Sequence, residues 1–121
     1  VGIESRGFIF GAAVAIKLGA GFVPVRKPGK LPAKTISKSY DLEYGTSTVE
    51  LHADAIEKGQ KVLVIDDVLA TGGTLAAACD LVCQEGGQIV GVGIVVELSF
   101  LDGRKKLPGL DIRALIKVAG E

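Results

Sequence analysis

Neither sign of charge is in excess. Fourteen Lys and Arg against fourteen Asp and Glu leave a formal net charge of zero over 121 residues. That balance argues against a general nucleic-acid binder, whose affinity comes from neutralising phosphates, and against electrostatic attachment to an acidic membrane. Long apolar runs are lacking as well. None approaches the ~20 residues needed to span a bilayer, because Lys17 interrupts the best candidate. No basic-then-apolar leader with a cleavage site is visible. Two cysteines do not make a disulfide framework, so a reducing, cytoplasmic setting is expected. The single histidine, His52, has no companions at metal-ligand spacing and reads as a surface hairpin residue.

What is present is ordinary for a globular chain. A hydrophobic content of 48% and a charged content of 23% exclude disorder, and the length suits one domain over residues 1–121. Val1 falls inside what reads as a strand, so the sequence is expected to be a piece of a longer chain whose lead-in is missing.

The rest is organised around Lys61 to Leu75, KVLVIDDVLATGGTL. Four apolar residues, Val62 to Ile65, suit a strand buried on both faces of a parallel sheet, and they run into Asp66 and Asp67. A loop of small residues, Val68 to Thr74, precedes an apolar-periodic helix. In such a strand–turn–helix unit, the N–H groups of the turn and of the first helical residues point at an anion, and the helix dipole favours its charge. Two acids at a strand end lose hydration and need partners. Ribose hydroxyls are donors that suit them, and a magnesium ion is a hard cation that carboxylates also attract. The combination reads as a grip on a phosphorylated sugar.

Elsewhere, Phe8 to Leu18 is nearly all apolar and predicts a buried helix, with Ser5 as N-cap and Gly7 leaving room for a ligand. If the strand at Val1 to Ile3 runs parallel to that at Val62, the loops after both lie at the carboxyl edge of the sheet, where open α/β sheets bind ligands. Phe22 to Val25 predicts a short strand, placed at an edge or end by Pro24. Arg26 to Lys38 carries five basic residues and no acid, broken by Pro28, Gly29 and Pro32, and forms a candidate anion clamp. Tyr40, Leu42 and Tyr44, then Val49 and Leu51, alternate as in a hairpin. Leu75, Ala78, Cys79, Val82 and Cys83 form a helical stripe facing the sheet, with both cysteines as core packing. Ile89 to Leu98 and Asp111 to Val118 predict two further strands. The order of elements gives a mostly parallel α/β sheet flanked by helices, with a hairpin and flexible loop at about 26–52 as a lid.

VLVIDDVLATGGT resembles the phosphoribosyl-diphosphate signature of the type I phosphoribosyltransferases, and the rest of the chain looks most like the adenine-using members of that family. The resemblance implies transfer of a phosphoribosyl group from 5-phosphoribosyl diphosphate to adenine, giving AMP and diphosphate in purine salvage. Alternatives are a regulator that senses phosphoribosyl diphosphate without catalysis, or a transferase for xanthine or orotate. Asp66 and Asp67 would hold the ribose hydroxyls, and Ala70, Thr71, Gly72, Gly73 and Thr74 the phosphate. ESRGF is similar to the family's diphosphate loop, so Ser5, Arg6 and Gly7 would face the leaving diphosphate, with a non-proline cis peptide at Glu4–Ser5. RKPGKLPAKTISKSYDLEYG looks like the flexible lid, placing Arg26, Lys27 and Lys30 near diphosphate oxygens and Glu43 over the base as the catalytic group. Val68 and Leu98 would contact the two faces of the purine. Magnesium would be held mainly by substrate, with no direct protein ligand, and a homodimer is implied. The family's N-terminal hood, which supplies main-chain contacts to adenine, does not appear in this sequence.

Overall fold

In the computed structural model, which describes residues 1–42 and 44–120, the β-branched run at Val62 becomes the middle of a five-stranded sheet. The elements are β1 (Gly2–Ile3), α1 (Gly7–Leu18), β2 (Pro24–Val25), β3 (Thr35–Asp41), β4 (Thr46–His52), β5 (Lys61–Leu69), α2 (Gly73–Gln84), β6 (Gln88–Leu98) and β7 (Ile112–Val118). Two 3-10 turns, Ser99–Leu101 and Gly103–Lys106, link β6 to β7. The sheet order is β2-β1-β5-β6-β7 with every pairing parallel. Pro24 sits in the edge strand β2, where its missing N–H costs no ladder bond. Strands β3 and β4 form a separate antiparallel hairpin.

The parallel pairing of Gly2 with Ile65 sends β1 and β5 the same way, so the loops after them share one edge of the sheet. The strand is longer than its apolar run. β5 continues through both acids to Leu69, paired across to Glu97, and the loop shrinks to Ala70–Gly72. Ladder bonds to β6 override the polar side chains there.

Three expectations about helices need correction. The N-cap of α1 is Arg6 rather than Ser5, and no side chain caps it; the Ser5 carbonyl instead accepts the Phe8 N–H at 3.1 Å. Nor is α1 buried all round. Gly7, Gly11 and Ala15 face inward, while Ile9, Phe10, Ile16 and Leu18 are exposed. Helix α2, in contrast, is buried on more than its stripe. Ala77 and Leu81 are buried alongside Leu75, Ala78, Cys79 and Val82, because the β3–β4 hairpin packs on the side away from the sheet. Cys83 is exposed, so only Cys79 belongs to the core, and burial pushes its thiol up to about 12.

The hairpin is therefore part of the core at its base: Val49 and Leu51 are buried. Its far end is open, with Leu42 and Tyr44 exposed. His52 is half-buried rather than on the surface, and its Nδ1 has no hydrogen-bond partner among the described residues.

Candidate active site

Asp66 and Asp67 follow one another on β5, so their side chains leave opposite faces of the sheet. Asp66 is 8% exposed, and its Oδ1 accepts the Asp67 N–H at 2.9 Å. A Cβ at Gly7 would lie 2.8 Å from that same Oδ1, so only glycine lets the start of α1 approach this closely. Asp67 is more open, and its Oδ2 takes the Arg6 Nε at 2.8 Å. Burial pushes the Asp66 carboxyl up to about 7; the Asp67 N–H and the Arg6 charge act the other way without offsetting it.

Because the ordinary value is 3.8, Asp66 binds its proton more tightly in the folded chain than in the unfolded one. Its contribution to stability is complete below 3.8 and is lost as pH rises through about 7. Ligand affinity should run the other way. Sugar hydroxyls donate best to an ionised acceptor, so binding of ribose 5-phosphate should strengthen as pH passes through about 7. Asp66→Asn should remove that step from a titration of dissociation constant against pH. The phosphate's own proton, lost near pH ~6, contributes equally to both proteins, so an unchanged step would exclude Asp66 as its source.

Beyond β5 the chain turns through Ala70, Thr71 and Gly72 into α2, whose residues Gly73 and Thr74 complete the stretch expected to take phosphate. Gly72 is the N-cap, at φ 90°, and offers no side-chain cap; the first turn of the helix holds no acid. The leading N–H groups thus have no acceptor within the helix and are free to take an anion. Asp66, Val68 and Ala70 to Leu75 line a cleft of about 110 Å³. Leu98, the other expected base contact, ends β6 but does not line this cleft. A larger cavity, about 230 Å³, lies between α1 and the start of β5 and is lined by none of the expected site residues.

The basic residues gather at the same edge, around an acid that the sequence reading passed over. Glu4 Oε1 accepts the Arg26 Nε at 3.2 Å and the Lys27 N–H at 3.0 Å, and Oε2 takes the Lys30 Nζ at 2.8 Å. Burial alone would raise the Glu4 carboxyl, but the hydrogen bonds from Lys30, Lys27 and Arg26 outweigh it and hold the group at about 2. Arg26 also lies over the Phe8 ring, 5.8 Å from its centre. The Arg26 and Lys30 side chains and the Lys27 main chain therefore converge on the loop after β1, which carries Arg6 and whose Glu4–Ser5 peptide is cis. The one available signal was charge imbalance: a stretch with five cations and no acid needs counter-charge from elsewhere.

A second contact had no sequence signal. The Tyr40 hydroxyl lies 2.8 Å from the Thr74 Oγ1, so hairpin strand β3 touches the first turn of α2 directly. Glu43 lies outside the described residues. Among the described residues, no group of three or more His, Cys, Asp or Glu could hold a metal ion, and no helix is long and apolar enough to cross a membrane.

Comparison with known proteins identifies the fold and the family. The phosphoribosyl transferase domain model matches residues 1–113. An adenine phosphoribosyltransferase of Thermobifida fusca is 62% identical over 117 residues, covering 97% of this chain and 66% of its own length. A crystal structure of adenine phosphoribosyltransferase from Thermoanaerobacter pseudethanolicus superposes with a TM-score of 0.95 at 57% identity, covering 97% of this chain and 68% of that one. The Saccharomyces cerevisiae adenine phosphoribosyltransferase, crystallised with an imino-altritol bisphosphate and adenine, gives a TM-score of 0.90 at 46% identity, with coverages of 94% and 64%. The chain thus spans about two thirds of the length of such relatives.

Proposed function

The chain belongs to the phosphoribosyl transferase family, on its adenine phosphoribosyltransferase branch, and from that premise we propose that it transfers the phosphoribosyl group of 5-phosphoribosyl diphosphate to adenine, releasing AMP and diphosphate in purine salvage. The observation that carries this reading is the single cleft in which the Asp66 carboxylate and the turn Ala70–Thr74 stand together. A ring nitrogen of adenine attacks the anomeric carbon while the bond to diphosphate breaks, through an oxocarbenium-like state. Little covalent chemistry is asked of the protein. Asp66 and Asp67 take the ribose hydroxyls, and their charge favours the cationic sugar. The amides of Ala70 to Thr74 take the 5-phosphate, each hydrogen bond to a charged acceptor contributing about 1.5–3 kcal/mol. Arg6, Arg26, Lys27 and Lys30, with Ser5 and Gly7, receive the leaving diphosphate, which replaces Glu4 and Asp67 as their anionic partner.

Val68 packs against one face of the base and Leu98 against the other, and Glu43 assists proton exchange at the attacking ring. Closure of the hairpin tip keeps water from the sugar cation. Magnesium fits this donor set as an ion held mostly by substrate. The two adjacent carboxylates leave opposite faces of β5 and are taken up by the sugar and by Arg6, so the ion would draw its oxygen ligands from substrate rather than from a protein cage. When bound, it offsets charge on the leaving group. A homodimer and a cytoplasmic location complete the proposal; the exposed Ile9 and Ile16 of α1 support the first, and two free cysteines the second.

A base panel tests it. Full-length protein with phosphoribosyl diphosphate, magnesium and each base in turn should form a nucleotide from adenine and not from xanthine or orotate. Tight binding of the sugar diphosphate without AMP formation would point to a sensor instead.

A further inference from the structure

Glu97 is 4% exposed near the end of β6, and a carboxylate that deep must be paired. Its two oxygens take the Arg104 Nε and Nη2, each at 2.8 Å, in a bidentate fork. Arg104 holds this carboxyl below its ordinary range, so the pair is ionised at neutral pH. Neither residue touches the cleft. What the pair secures is the 3-10 turn Gly103–Lys106, fastened at its other end by the buried Leu107.

That turn is pressed onto the phosphate-binding stretch, main chain against main chain. A Cβ at Gly103 would lie 2.4 Å from the Ala70 carbonyl oxygen and 2.8 Å from Leu69 Cδ1. A Cβ at Gly72 would lie 2.5 Å from the Gly103 carbonyl oxygen. Neither position has room for a methyl group, so each chain limits where the other can go. The strand register closes the loop, since Glu97 stands opposite Leu69, the residue before Ala70.

We propose that the Glu97–Arg104 pair is a positioning device for the turn Ala70–Thr74: it holds the Gly103 main chain against Ala70 and Gly72 and so sets the direction of the amides that take a sugar phosphate. This rests on the phosphate-site reading above. The guanidinium fork is required, because a lysine ammonium is a single point charge and cannot bridge both oxygens. Arg104→Lys loosens the turn with the charge retained. Gly103→Ala leaves the ion pair in place and displaces the turn by a wedge, so it tests the same contact when the first variant folds poorly.

In full-length protein, each variant should raise the dissociation constant for ribose 5-phosphate by about ten- to a hundredfold, the scale set by a displacement of about 1 Å. The KM for phosphoribosyl diphosphate should rise with it, while the KM for adenine stays within about twofold. Arg113→Gln, which removes an exposed ion pair with Asp111 at 3.5 Å, should change neither. If unmodified protein fails to bind ribose 5-phosphate, the phosphate-site reading falls and this inference with it. If unmodified protein binds and both folded variants bind equally well, only the inference falls. An equal rise in both KM values would mean general loosening and would overturn it too.

Discussion

Replacing Asp66 and Asp67 together by asparagine is expected to lower turnover by about 10³-fold or more while leaving the protein folded. The two halves of that statement have separate causes. Turnover falls because carboxylate charge that favours an oxocarbenium-like sugar is removed, and an amide also offers donors where hydroxyls need acceptors. The fold persists because neither substitution removes a net source of stability. Asp66 already has its carboxyl raised to about 7 by burial, so a neutral isostere relieves a cost and its Oδ1 can still accept the Asp67 N–H. Asp67 loses an ion pair to an Arg6 whose side chain is 76% exposed, and pairs that open to water contribute little. Near-normal turnover in a folded double variant would refute the diol role.

Glu43→Ala should lower kcat by about 10²–10³ with little change in melting temperature, if Glu43 acts on charge that develops only in the transition state. Its neighbours explain the second half. Leu42 and Tyr44 are exposed at the end of the hairpin, and the Leu42 N–H donates to the Gly45 carbonyl at 2.9 Å, main chain to main chain. The buried residues that anchor the hairpin, Val49 and Leu51, lie well away along β4. A rise in the KM for adenine with kcat unchanged would make Glu43 a binding group instead.

The central strand, the edge position of Pro24 and the tight turn into α2 were legible because each depends on local chemistry: an apolar run, a missing donor, a Gly-rich stretch before a helix. Features set by distant partners were not. The length of β5 past its acids depends on β6, which no pattern within β5 records. The apolar α1 reads as buried, yet only its glycine and alanine face is fully buried, while Ile9, Phe10, Ile16 and Leu18 stay exposed. Leu81 falls off the stripe that faces the sheet and is buried by a hairpin from another part of the chain. The site shows the same division. Asp66, Asp67 and the turn after them stand together in sequence, whereas Glu4 meets cations more than twenty residues away and Arg104 reaches back to Glu97 across a turn.

The most direct test of the account follows backbone amide shifts in the full-length protein as ribose 5-phosphate is added. The account requires the largest changes at Thr71 to Thr74, with Asp66 and Asp67 moving in the same titration. Changes confined to the larger cavity around Val14, Phe22 and Ile56, with Ala70 to Thr74 unmoved, would contradict it.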